Sequence, residues 1–179
     1  MPTDVVVLNG GSSAGKTSIA RALLAQLPGL WLTLGVDTLV DALGGPGGDG
    51  SAITFRPTGE VSVGAAFREA ETAWWAGVAE MARSGVGIVF DEVFLGGSDS
   101  QARLAAALAG LEVLWVGVRC PADVSAAREA SRADRVPGMA ASQADLVHRG
   151  VHYGLEVDTS KADPAGCAAA VAARVGLAT

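Results

Sequence analysis

Apolar positions along the chain fall into blocks, and the blocks alternate between two periods. Val5-Val6-Val7-Leu8 is a continuous apolar run, the signature of a strand covered on both faces, so Asp4 to Leu8 reads as a buried parallel strand. Lys16 to Leu27 shifts to a helical period, with Ile19, Leu23, Leu24 and Leu27 on one side, until Pro28-Gly29 stops it. Leu30 to Val36 reads as a second strand ending at Asp37, and Thr38 to Leu43 as a short helix. Ala65 to Arg83 reads as a long helix carrying Phe67, Trp74, Val78 and Met81, closed by Ser84-Gly85. Val86 to Phe90 is a third buried strand, closed by Asp91-Glu92, and Asp99 caps a helix running to about Leu108. Val113 to Val118 is the fourth strand and leads to Arg119. Pro121-Ala122-Asp123 opens a helix through Arg128 and Arg132 toward Pro137-Gly138, and Met139 to about His148 is helical again. Tyr153 to Val157 is the fifth strand, and Ala165 to Val175 the closing helix.

One stretch breaks the rhythm. Gly44 to Gly64 is crowded with Gly, Pro and Asp, with weak strand character only at Ile53-Thr54-Phe55 and Val61-Ser62-Val63. It reads as a long excursion carrying a hairpin. Long loops in compact domains often carry function, and the pattern alone leaves a plain surface insert equally open. Elsewhere strands and helices alternate, which predicts an α/β fold with a five-stranded, mainly parallel sheet and helices on both faces. Ligands of such sheets bind beyond the carboxyl ends of the strands. Gly10–Thr17, Asp37, Asp91, Arg119 and Asp158-Thr159 all follow strands and should therefore converge.

Composition narrows the classes. The chain has 179 residues, half of them hydrophobic, which fits one domain over residues 1–179 with a sizeable core. A net charge of −6 argues against a nucleic-acid surface, which is normally basic, but not against a nucleotide held by one loop. Cys120 and Cys167 lie far apart in no metal or redox motif, as in a reduced cytoplasmic protein. No basic-then-apolar leader and no uncharged run long enough to span a bilayer occurs, so no membrane partner is expected.

The chemistry concentrates at Gly10, Gly11, Ser12, Ser13, Ala14, Gly15, Lys16 and Thr17, which fill the template G-x-x-x-x-G-K-[ST] between a strand and a helix. Phosphates need N–H groups presented from a loop without obstructing side chains, at a helix N-terminus. Lys16 would reach the β- and γ-phosphates of ATP, and Thr17 would bind Mg²⁺. The domain is therefore read as a P-loop NTPase. Asp91 ends an apolar strand and is the candidate second metal-site residue, with Glu92 as an alternate. Asp37 could accept the proton of an attacking hydroxyl, or simply cap the helix after it. Arg128, Arg132 and Arg135 share one helical face before Pro137-Gly138. They read either as a solvated face or as a lid over about residues 122–140 that neutralises a transferring phosphoryl group, Arg128 and Arg132 holding the nucleotide and Arg132 and Arg135 the reacting group. Of Trp74 and Trp75, one should be core and the other could face the excursion. His148 and His152 read as ordinary polar positions.

The chain resembles the chloramphenicol phosphotransferases. The likeness lies in Leu8-Asn9-Gly10-Gly11-Ser12-Ser13-Ala14-Gly15-Lys16, Gly35-Val36-Asp37, Asp91-Glu92-Val93-Phe94-Leu95-Gly96-Gly97 and Leu114-Trp115-Val116-Gly117-Val118-Arg119-Cys120, with the spacing of Arg128 to Arg135 and Gly138-Met139-Ala140. Gly44–Gly64 departs from the family pattern, and Glu92 stands where a second Asp is expected. The resemblance implies a fold like the nucleoside-monophosphate and shikimate kinases, and transfer of the ATP γ-phosphate to the primary 3-hydroxyl of chloramphenicol. It also matches Asp37 to the general base and the arginines to the lid. A kinase of another hydroxyl compound is the alternative, although the excursion offers only Arg56 to an anionic acceptor. A regulatory nucleotide switch is the alternative of a different class; the Asn-Lys-x-Asp string of a guanine-specific switch is missing. The number of chains that assemble, a homo-oligomer included, is not legible.

Overall fold

A computed structural model describes residues 3–44, 52–56, 58–131 and 137–176. Five strands form one sheet in the order β2-β5-β1-β6-β7: β1 (Val5–Asn9), β2 (Trp31–Gly35), β5 (Gly87–Glu92), β6 (Val113–Arg119) and β7 (Leu155–Asp158). Every pairing is parallel. β1 lies in the middle, with Val5 opposite Ile88 on one side and Val113 on the other. Its four apolar residues are fully buried, which is why the strand carries no polar alternation.

The period of two distributes β1 between two cores. Val6 and Leu8 face a layer built from α1 (Lys16–Leu24) and α7 (Pro164–Gly176), through Ile19, Leu23, Ala168 and Val171. Val5 and Val7 face α3 (Ala65–Arg83) and α4 (Ser98–Ala107), through Trp75, Val78, Ala79 and Leu104. Each large side chain buried this way contributes roughly 1.5–3 kcal/mol relative to exposure. Helices on both faces of a parallel five-stranded sheet are the expected architecture.

Several bounds differ from the sequence expectation. α1 ends at Leu24, in a turn where Gln26 N and Leu27 N both donate to Leu23 O. α2 (Val36–Ala42) starts straight off β2, so its N-cap is Gly35 and Asp37 lies inside the first turn. Asp99 likewise sits in the first turn of α4, behind Gly97. The helix expected from Pro121 is α5 (Ala122–Ala130), and Met139–His148 divides into α6 (Met139–Gln143) and a 3₁₀ turn at Leu146–His148. Tyr153 stays outside β7; its ring lies against Gly117, where a Cβ would come within 2.9 Å. Within the excursion, β3 (Ile53–Phe55) and β4 (Val61–Val63) form an antiparallel hairpin, a two-stranded sheet of its own. Residues 45–51 and 57 of that stretch, and Arg132 and Arg135, lie outside the described residues.

Candidate active site

The link from β1 to α1 turns through Ser13 (φ +57°) and Gly15 (φ +94°). Successive left-handed or turn conformations of this kind point N–H groups into a common concavity. α1 has no side-chain cap, so its first N–H groups are left for a ligand. The hydroxyls of Ser12 and Ser13 are buried without a hydrogen-bond partner. Ser12 N, by contrast, donates to Gln143 Oε1 at 2.8 Å.

Lys16 is buried. Its Nζ donates to Gly11 O at 3.2 Å and lies 3.4 Å from Asp91 Oδ1. Thr17 Oγ1 donates to Asp91 Oδ2 at 2.8 Å. One carboxylate thus meets both the Lys and the Thr of the loop template, the latter across 74 residues of sequence. Register explains it: Asp91 stands opposite Leu8 on β1, two residues before Gly10, where the loop begins. Glu92 is the next residue of the same strand and serves a different contact, accepting from Trp75 Nε1 at 3.3 Å on α3. Burial pushes its carboxyl up to about 8; the Trp75 hydrogen bond opposes that shift, and the charges of Glu71 and Asp91 add to it.

Asp37 projects from the start of α2 into a cavity of about 480 Å³ that Lys16, Thr17 and Asp91 also line. The far wall is apolar: Ile53 and Phe55 of β3, Val61 and Val63 of β4, and Phe67 and Trp75 of α3. Trp75 is the buried member of the tryptophan pair and lines the cavity together with the hairpin residues, while Trp74 is only half-buried. Arg68 of α3 also lines the cavity, and sequence reading passed over it. Its Nη1 donates to Glu71 Oε2 at 2.8 Å, and Arg103 Nη1 donates to the same oxygen at 2.7 Å. The Arg103 guanidinium stands 5.0 Å from the Trp75 ring centroid.

A polar network supports the loop from behind. Asn9 is fully buried; its Nδ2 donates to Val147 O at 2.8 Å and to Tyr153 OH at 2.6 Å, and its Oδ1 accepts from Phe94 N at 2.9 Å. His148 Nδ1 lies 2.6 Å from the same phenol oxygen. Burial, aided by the Arg119 charge, lowers His148 to about 4, and burial raises Tyr153 to about 12. His148 is therefore a working part of the core; only its spacing of five residues from Tyr153 could have hinted at it. The Arg119 guanidinium lies 5.6 Å from the Tyr153 ring centroid and donates to Glu156 Oε2 at 2.7 Å.

Arg128 closes the opposite flank. Its Nη1 donates to Thr159 Oγ1 at 2.9 Å and its Nη2 to Thr159 O at 2.8 Å. With Ser13, Gly15, Ser18, Thr159 and Pro164 it lines a second hollow of about 320 Å³ beside the loop. The structure thus brings together Gly10–Thr17, Asp37, Asp91 and Arg128.

Comparison with known proteins bears on the family and the fold. The family model described as chloramphenicol phosphotransferase-like protein matches residues 3–176. A Mycobacterium tuberculosis protein named as an O-phosphotransferase is 30% identical over 174 residues, covering 87% of this chain and 75% of that protein. Among solved structures, an unliganded sugar kinase from Janibacter superposes with a TM-score of 0.72 at 18% identity, over 99% of this chain and 96% of that one. A tunicamycin resistance protein from Deinococcus radiodurans superposes with 0.68 at 22% identity, over 98% and 96%.

Proposed function

The chain belongs to the chloramphenicol phosphotransferase-like family and is a small-molecule phosphotransferase of the P-loop kinase type; from that premise we propose that it moves the γ-phosphoryl group of ATP onto a hydroxyl of an uncharged, partly apolar acceptor, the primary 3-hydroxyl of chloramphenicol in first place. Such an activity would inactivate an antibiotic. The carrying observation is the shared cavity, in which Asp37 and the Lys16–Thr17–Asp91 cluster face an apolar wall.

Each chain group has a task in this reading. Gly10–Thr17 hold the phosphates, Lys16 neutralises the transferring group, and Arg128 with Ser13 and Ser18 borders the rest of the nucleotide. Thr17 and Asp91 are oxygen donors 2.8 Å apart beside that loop, the hard ligand set that suits Mg²⁺. Bound there, the ion would supply charge neutralisation for the phosphates. Asp37 orients the acceptor hydroxyl and takes its proton as the oxygen–phosphorus bond forms and ADP departs. The chain itself supplies positioning and electrostatics more than covalent chemistry. The lid role of Arg132 and Arg135 rests on sequence spacing and belongs to the same proposal.

Mass spectrometry of chloramphenicol incubated with the protein, ATP and Mg²⁺ tests the reading. A product heavier by one phosphoryl group, absent with Asp37→Asn, is expected. Acceptor-independent ATP loss alone, across a panel of neutral hydroxyl compounds, would overturn it.

A further inference from the structure

The hairpin that walls the acceptor side pairs with no strand of the main sheet. A two-stranded hairpin alone is marginal in water, so its position depends on what its tip touches. The tip touches α6. Gly59 is buried at the turn with φ +80°, and a Cβ there would lie 2.2 Å from Gly138 C and 2.5 Å from Gly138 O. This is backbone lying on backbone, at a spot where any other residue would clash and be strained. Gly138 has φ +84°, and its own Cβ position is 3.2 Å from Thr58 O. Ser142 Oγ adds a hydrogen bond to Gly59 O at 3.2 Å.

The same short segment reaches the phosphate loop at its other end. Gln143 Oε1 accepts from Ser12 N at 2.8 Å, and Gly11 approaches Gln143 so closely that a Cβ would lie 3.2 Å from Gln143 Cβ. Between these ends the segment is pinned from α5. Glu129, buried, accepts from Gly138 N at 2.8 Å and from Ala140 N at 2.7 Å. Three contacts thus make Gly138–Gln143 a rigid strut with the hairpin at one end and the phosphate loop at the other.

We propose that Gly138–Gln143 is a bridge that sets the acceptor wall relative to the phosphate loop, with Gly59 and Gln143 as the positioning residues at its two ends. Gly59 stands outside the lining of the Asp37 cavity, whereas Gln143 shares that lining and is joined to the loop through Ser12 N. Their effect runs through the distance between Asp37's cavity wall and the loop, so nucleotide and acceptor should bind with coupled affinities. The two ligands are those of the kinase reading; the bridge itself is a matter of geometry.

Hydrogen exchange of the full chain, followed by mass spectrometry with and without Mg²⁺ and a non-hydrolysable ATP analogue, tests this without an acceptor. In the wild type the analogue should slow exchange in peptides covering 10–17 and, by about tenfold, in those covering 53–63. Gly59→Ala should keep the protection at 10–17 and lose most of it at 53–63; Gln143→Leu, which also takes the acceptor from Ser12 N, should likewise lose most of it at 53–63. Ser142→Ala, which removes one hydroxyl and leaves the glycine contact, should lose part of it and guards against a variant that merely misfolds. With chloramphenicol as acceptor, the first two variants should raise acceptor KM several-fold more than they change ATP affinity. Protection at 10–17 without any response at 53–63 in the wild type would overturn the bridge and leave the kinase reading standing. So would undiminished hairpin protection in both end variants. Loss of protection at 10–17 in the wild type would overturn the nucleotide reading, and the coupling with it.

Discussion

The phosphate loop hangs from β1, a strand with neighbours on both sides and every apolar residue buried, and its side chains meet Asp91 on the adjacent strand. The apolar wall opposite stands on two three-residue strands that, among the described residues, pair with each other alone, on the first turn of α2, and on α3. One side is specified by the sheet itself. The other is assembled from pieces that tertiary contacts hold in place. On the proposed reading the sheet positions the nucleotide, and the hairpin that positions the acceptor is joined to it through Gly138–Gln143.

The strongest way to break that contrast is to remove the lysine. Lys16→Ala should cut transfer by at least about 10³-fold while the fold survives, because the lost charge sits where phosphoryl charge develops. Circular dichroism and steady-state turnover measure both. Residual activity within tenfold of wild type would mean that the loop does not carry the reaction. Asp37→Asn comes next, with kcat lowered by about 10²- to 10³-fold and ATP affinity unchanged. A matched loss of ATP affinity would place Asp37 with the nucleotide side instead. Phe55→Ala should act oppositely to Lys16→Ala, raising acceptor KM by about tenfold with ATP affinity intact, since it trims only the apolar wall.

What could be read ahead of the structure follows the same divide. Gly10–Thr17 is contiguous, and the strand before it and helix after it are local patterns, so loop, strand and helix were all legible. The alternation of Val5 to Leu8 between two cores follows from the strand period once both faces are known to be covered. Asp91 was legible as an acid ending an apolar run, but its separation from Glu92 required the strand alternation and the α3 contact. The rest depended on pairs distant in sequence: Asn9 with Tyr153, 144 residues apart, Ser12 with Gln143, 131 apart, and Glu71 with Arg103, 32 apart. None of these has a spacing signature, because each is chosen by packing. Asp37 is a case where sequence alone left the choice open. Its sequence position fits two readings, general base or cap of a helix from Thr38; α2 begins two residues earlier at Val36 with Gly35 as its N-cap, which removes the cap reading.

Smaller effects sharpen the picture of each half. Glu71 accepts from two arginines with a single oxygen while buried, and it holds Arg68 on the cavity wall. Glu71→Gln should cost about 1–3 kcal/mol, because two guanidinium groups are left near each other with a weaker acceptor. Denaturant titration measures the loss. It should fall on stability and acceptor KM, and spare ATP affinity. A variant as stable as wild type would show that the cluster is an exposed ion pair of little weight.

The last expectation concerns pH on the nucleotide side. His148 sits behind the loop with its folded pKa lowered to about 4, against 6.5 for a free imidazole, burial being the main cause. Between those values the unfolded chain binds a proton that the folded chain refuses. The folded state is therefore favoured by His148 above about pH 6.5, and that advantage is lost progressively as pH falls toward 4. Below 4 the folded imidazole protonates as well and the loss levels off. Carboxylates titrate in the same range, so the measurement is a difference: urea midpoints of wild type and His148→Gln between pH 7.5 and 4.5. The wild type should lose stability more steeply, by on the order of 1–3 kcal/mol over that window. Protonation would also face the phenol that shares a hydrogen bond with Asn9 at the root of the loop. ATP affinity of the wild type should then weaken with falling pH before acceptor KM responds. Parallel slopes for the two proteins would return His148 to a polar position without influence on the loop.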